Sequence, residues 1–180
     1  YNAPELRVEL EAAGRRFRGH SDTEVIVEGF AVWGVEQTVR RLIGMFALAA
    51  WDRRELRLTL VRDRLGIKPL YWGVFDNRLI FASELKSLRL VPGWQGVLDR
   101  DGLAAYMRFG YVPAPGSIYQ GVRKLMPGTL LEFPADGEVR ERTYWSLSEV
   151  AEAAERDQLD VSDTDAERLL EDILTDAVKR

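Results

Sequence analysis

At Gly44 the hydrophobic pattern of this chain changes period, and that change restricts the fold more than any other feature. Upstream, apolar residues recur at helical spacing; downstream they run continuously or alternate, as strands do. Met45-Phe46-Ala47-Leu48-Ala49-Ala50-Trp51 is an unbroken apolar run, followed by a charged turn at Asp52 to Glu55. Leu56, Leu58 and Leu60 then alternate with Arg57, Thr59 and Val61, the pattern of a half-buried strand. Leu70 to Phe75 and Arg78 to Ala82 flank Asp76-Asn77, a hairpin signal weakened by the lack of a glycine. Four strands joined by short turns predict an antiparallel meander with helices packed against it, an α+β architecture.

The helices are read from stripes and end signals. Pro4 to Gly14 carries Leu6, Val8, Leu10 and Ala13 on one face, with proline in its first turn and glycine as its stop. Ser21 and Asp22 are N-cap residues for a helix over Thr23 to Trp33, and Glu24 stands at capping-box spacing from Ser21. Glu36 to Leu42 and Glu84 to Arg89 are short helical pieces. Asp99 caps a helix to Phe109 whose Leu103, Tyr106 and Met107 are expected to face inward. Tyr111 to Gly128, rich in proline and glycine, reads as an ordered loop. Thr129 to Phe133 and Glu138 to Tyr144 form a hairpin about Asp136-Gly137. Glu149 to Asp165 is acidic and poor in large apolar groups, so a flexible linker is expected there. Asp165 to Lys179 is a helix whose stripe of Leu169, Leu170, Ile173, Leu174 and Val178 needs a partner.

With 180 residues the chain can bury a core of its own. A net charge of −4 leaves no basic face for nucleic acid. No stretch approaches the roughly 20 apolar residues of a membrane helix, and the start lacks a secretory signal. The cytoplasm is the expected location. Zero cysteines excludes disulfides, thiolate metal sites and cysteine nucleophiles within these residues. The single histidine, His20, reads as a loop or capping residue, and Arg15, Arg16 and Arg18 as a solvated loop. Arg62, Asp63 and Lys68 have the composition of a catalytic set, but a salt-bridged turn is the expected role. Trp33, Trp51, Trp72, Trp94 and Trp145 are read as core or interface aromatics.

The run Val61-Arg62-Asp63-Arg64-Leu65-Gly66-Ile67-Lys68-Pro69-Leu70-Tyr71, with Phe81-Ala82-Ser83-Glu84-Leu85-Lys86, closely resembles the glutamine-amidotransferase domain of glutamine-hydrolysing asparagine synthases. Three further strings are similar to the same family. They are Tyr1-Asn2 with Glu5-Leu6-Arg7, Gly19-His20-Ser21-Asp22-Thr23-Glu24-Val25-Ile26, and Tyr111-Val112-Pro113-Ala114-Pro115 with Gly121 to Gly128. Ser-Asp-Thr-Glu by itself is weak, being shared by other amidotransferases of this type; the strings together are specific. The resemblance implies a four-layer αββα sandwich of N-terminal-nucleophile hydrolase type, incomplete here. It implies an amidotransferase part at 1–148 and, at 149–180, a linker and helix leading to a synthetase domain beyond Arg180.

In that family an N-terminal cysteine attacks the glutamine carboxamide, its own α-amine serving as base. Backbone and side-chain donors of an Asn-Gly-Glu segment bind the oxyanion. The resemblance places both groups upstream of Tyr1 and transfers only one role to this chain: Asp22 as the carboxylate that pairs with the glutamine α-ammonium. On the residues alone Asp22 is a helix cap, and the two roles can coexist. No catalytic, cofactor-binding or metal-binding residue is expected here, and ATP and magnesium are expected only for the synthetase domain. The implied partners are glutamine, the parent's synthetase domain and further copies in a homo-oligomer. The expected function is that of a fragment of a glutamine-dependent asparagine synthase, inactive by itself. With a strand expected upstream of Tyr1, an unpaired sheet edge and the C-terminal stripe should make the fragment self-associate. The alternatives are a cysteine-less relative of the β-lactam-synthetase kind and a non-enzymatic interaction module of the same fold.

Overall fold

The computed structural model describes residues 2–135 and 137–179. By their contacts they form two compact units, one of Met45–Trp145 and one of the residues up to Gly44 with those from Ser146. Among the described residues no helix is long and apolar enough to cross a membrane.

The unit that opens the chain begins with α1 (Ala3–Ala12), α2 (Asp22–Trp33) and α3 (Val35–Arg41). Helix α1 buries Leu6 and Leu10, α2 buries Val25, and α3 buries Thr38 and Val39. Asn2, itself buried, donates from Nδ2 to the Arg41 carbonyl at 2.9 Å and accepts from the Ile43 amide at 2.8 Å. One side chain thus supplies partners at the end of α3, where backbone groups have none within the helix. Tyr1, which belongs to the same family string, lies outside the described residues.

The central unit holds β1 (Ala47–Asp52), β2 (Arg57–Arg62), β3 (Tyr71–Phe75), β4 (Arg78–Ala82), α4 (Arg100–Phe109), β5 (Val122–Lys124), β6 (Thr129–Phe133) and β7 (Arg140–Thr143). The first hairpin forms where expected. Asp52 Oδ1 accepts the amides of Arg54 and Glu55 and closes the turn between β1 and β2. Asp76 and Asn77 both take positive φ, 48° and 56°, so two left-handed residues make the β3–β4 turn without a glycine. The β6–β7 hairpin is also present; Asp136 of its turn lies outside the described residues.

The single meander is corrected. The strands form two antiparallel sheets, one ordered β1-β2-β6-β7 and the other β4-β3-β5. Strand β2 pairs with β6, about seventy residues away, and not with β3. The Pro- and Gly-rich stretch read as loop supplies β5, which pairs with β3. Both sheets contribute to one core. Leu60, Leu70, Leu125 and Leu131 are buried in it, with Ala47, Leu58, Trp72 and Phe133 packed against them. Trp72 meets Phe133 edge-on, with ring centroids 5.6 Å apart. Each buried leucine contributes about 2 kcal/mol. Strand β2 is buried more completely than its alternation suggests, since Thr59 and Val61 are as buried as Leu60.

Two more expectations are corrected. Leu103, Tyr106 and Met107 of α4 are exposed, Met107 at 78%. The rotation of α4 is set instead by Gly102, which is buried; a Cβ there would sit 2.4 Å from the Ser117 carbonyl oxygen. Only a glycine permits that backbone approach, and it turns the apolar stripe outward. The acidic stretch expected to be a linker overlaps α5 (Leu147–Arg156), and α6 (Asp163–Lys179) starts two residues before the expected Asp165. Ser146 Oγ caps α5 by accepting the Glu149 amide, a Ser-x-x-Glu signature set at the edge of the acidic stretch. The α6 stripe is exposed, from 43% at Leu169 to 86% at Val178.

Candidate functional site at the start of the second helix

Two charge-rich turns carry most of the sequence signal, one in each unit. The first precedes α2. Ser21 is the N-cap, extended at φ −71° and ψ 138°, and its Oγ accepts the Thr23 amide at 3.2 Å. Asp22, the first residue of the helix, is exposed. Its Oδ1 accepts the Thr23 amide at 2.7 Å and the Thr23 hydroxyl at 3.4 Å, so the Thr23 N–H is shared between two oxygens. The carboxylate is therefore oriented by its own turn while open to solvent. A negative group in a first helical turn is favoured by the helix dipole.

Glu24 departs from the expected box. Its Oε1 accepts the Arg18 amide at 2.7 Å and its Oε2 the Gly19 amide at 2.9 Å, reaching past the cap. Those two amides, Arg18 first, hold its carboxyl below the usual glutamate range, and the Arg7 and Arg18 charges add to the effect. Arg7, from α1, donates from Nη2 to the Gly19 carbonyl at 2.9 Å and lies 4.1 Å over the Phe17 ring. Neither contact was legible in the sequence, because Arg7 and Gly19 are twelve residues apart and no local pattern links them. His20 is exposed beside this turn, as expected of a loop residue. Of the arginine cluster, Arg15 is paired with Glu28.

The second turn follows β2. Asp63, 1% exposed, accepts three backbone amides: Ile67 at 2.9 Å, Lys68 at 2.9 Å and Phe46 at 3.3 Å. Arg62 donates to three carbonyls, those of Gly66 and Leu125 at 2.6 Å and Lys68 at 2.9 Å. Burial pulls its guanidinium pKa down, opposed by the nearby Asp63 and Tyr71. The buried Tyr144 hydroxyl donates to the Arg62 carbonyl at 2.9 Å, and burial pushes its pKa up. The Gly128 amide bonds the Asp63 carbonyl at 2.9 Å. The expected salt-bridged turn is thus corrected: Arg62 and Asp63 bind backbone groups, because a buried carbonyl or amide left without a partner is costly. Asp63 is walled in and unsuited to substrate chemistry. Asp22 alone of the two carboxylates is open to a ligand.

Among the described residues no group of three or more His, Cys, Asp or Glu is placed to hold a metal ion.

Residues 1–145 match the glutamine amidotransferase domain family. Asparagine synthetase [glutamine-hydrolyzing] 1 of Bacillus subtilis is 36% identical over 159 residues, covering 88% of this chain and 25% of the relative. Asparagine synthetase [glutamine-hydrolyzing] 3 of the same organism is 33% identical over 176 residues, covering 97% of this chain and 28% of the relative. The chain thus spans about a quarter of the length of these curated relatives. Among solved structures, glutamine phosphoribosylpyrophosphate amidotransferase from B. subtilis matches with a TM-score of 0.58 at 22% identity, over 80% of this chain and 27% of that one. That likeness bears on the fold, which is the α+β fold of N-terminal-nucleophile amidotransferases. The chain therefore belongs to the glutamine amidotransferase domain family and is similar to one part of the glutamine-hydrolysing asparagine synthetases.

Proposed function

We propose that this chain is the glutamine-binding part of a cytoplasmic, homo-oligomeric, glutamine-dependent asparagine synthase. Residues 1–148 are proposed as the amidotransferase part and 149–180 as the segment leading into a synthetase domain. In this reading glutamine is hydrolysed to glutamate and ammonia, and the ammonia is used in ATP-dependent amidation of aspartate or a similar carboxylate. The observation that carries the proposal is Asp22: it is exposed, on the first turn of a 12-residue helix, with Oδ1 held at 2.7 Å by the Thr23 amide. A carboxylate oriented in this way pairs with the α-ammonium of glutamine without first having to become ordered, which is how preorganisation favours binding. The 180 residues contain no cysteine, so the chain by itself is proposed to be inactive on glutamine.

The test is Asp22→Ala in the longer enzyme. A charged hydrogen bond of about 1.5–3 kcal/mol corresponds to a rise in KM for glutamine of roughly tenfold to a hundredfold. The pairing holds ground and transition states alike, so kcat should change little. Synthesis from added ammonia should be retained. An equal fall in glutamine- and ammonia-dependent synthesis would make Asp22 a structural cap. For the 180-residue chain alone, glutamate release that disappears on Asp22→Ala would overturn the proposed inactivity.

A further inference from the structure

We propose that Glu24 is a positioning residue for Asp22, clamping with Arg7 the backbone that leads into α2. The inference rests on the reading of Asp22 as the partner of the glutamine ammonium.

In a capping box, an acid at the third helical position bonds the amide of the cap residue, here Ser21. Glu24 holds that position but uses both oxygens elsewhere, on the successive amides of Arg18 at 2.7 Å and Gly19 at 2.9 Å. A carboxylate that chelates two neighbouring amides sets the orientation of both peptide planes. The next plane is held from the opposite side, because the Gly19 carbonyl accepts from Arg7 Nη2 at 2.9 Å. Arg7 is itself steadied against the Phe17 ring at 4.1 Å. Three consecutive peptide planes are thereby tied to two helices, and only His20 and Ser21 separate them from Asp22.

These bonds lie at the surface, where they add little to global stability. They have a definite local effect. The direction in which Asp22 leaves the chain is set before any ligand arrives, and ligand binding then need not order the turn. The charge of Glu24 is maintained by the same geometry, since the two amides hold its carboxyl below the usual range. Two simpler roles are open to an acid in a first turn: a favourable charge at the helix dipole, and a cap. Neither needs the reach of a glutamate, and this separates them from positioning.

The experiment compares Glu24→Gln, Glu24→Asp and Asp22→Asn in the longer glutamine-dependent enzyme, each with glutamine and with added ammonia. Glutamine at position 24 retains one acceptor and presents an NH2 to the other amide. Aspartate keeps the charge but is one methylene too short to chelate both amides. Both Glu24 variants should raise KM for glutamine by roughly three- to tenfold, less than Asp22→Asn, with kcat and ammonia-dependent synthesis retained. Hydrogen exchange at the Arg18 and Gly19 amides should quicken in both, with the melting temperature unchanged. A normal KM in Glu24→Asp with a raised one in Glu24→Gln would assign the effect to charge and overturn the proposal. A raised KM in Asp22→Asn with normal values in both Glu24 variants would overturn positioning while leaving the role of Asp22 intact. A normal KM in Asp22→Asn would remove the ammonium-pairing reading and this inference with it.

Discussion

The turn at Ser21–Glu24 and the turn at Arg62–Lys68 are equally dense in charge, yet their charges are engaged differently. In the first, most contacts stay within six residues and at the surface: Asp22 to Thr23, Glu24 to Arg18 and Gly19. The second has short bonds too, to Gly66, Ile67 and Lys68, but it centres on a buried carboxylate. It also reaches far along the chain: Arg62 to Leu125, 63 residues away, and Tyr144 to Arg62 across 82. The first leaves a carboxylate for a ligand. The second uses its carboxylate and guanidinium on backbone groups that would otherwise be stranded in the core. Charge density marks neither turn as a site. Where the charges terminate does.

That contrast can be broken by substitution. The largest effect is expected at Asp63→Ala, which strips three amides of their acceptor. A loss on the order of 4 kcal/mol should follow, as for other disrupted buried networks. The melting temperature, followed by circular dichroism, should fall by roughly 8–16 °C. A near-normal melt would mean that the Arg62–Lys68 turn is no more essential to the fold than the Asp22 turn.

Gly128→Ala comes next. Gly128 has φ 64°, and a Cβ there would lie 2.2 Å from the Trp145 carbonyl oxygen, a backbone atom that cannot step aside. Left-handed strain and crowding together should cost about 3 kcal/mol in chemical denaturation. Arg62→Lys should follow at about 2 kcal/mol, because a single ammonium cannot serve three carbonyls as a planar guanidinium does. A melt unchanged from the parent would show that the fork geometry is dispensable.

Asp22→Asn should change stability by less than about 0.5 kcal/mol, as exposed substitutions do, while weakening glutamine use. A melt as low as that of Asp63→Ala would erase the difference between the two turns. The smallest effect concerns pH at Glu24, whose folded carboxyl lies below its ordinary value of 4.5. A depressed pKa contributes stability that is present above the ordinary value and lost as pH falls through the folded one. Amide shifts of Arg18 and Gly19 should therefore titrate with a midpoint below 4.5, and the step should vanish in Glu24→Gln. A midpoint at or above 4.5 would show that the two amides do not hold the carboxylate.

What the sequence determined by itself was local. The caps at Ser21 and Asp99, the Asp52 turn and the bounds of β4 were all legible, because each depends on bonds spanning a few residues. The family strings were legible too. Tertiary structure alone decided the rest. Strand β2 could have paired with β3 by proximity, but Asp63 turns the chain away by binding Ile67 and Lys68, and β6 takes the place beside β2. The periodicity of α4 gave a stripe but no direction, and a close backbone approach at Gly102 turned it outward. Composition hid α5, whose cap at Ser146 mattered more than its acidity. Local propensity acts through neighbours along the chain, whereas pairing, rotation and burial depend on residues tens of positions away, which no short pattern encodes.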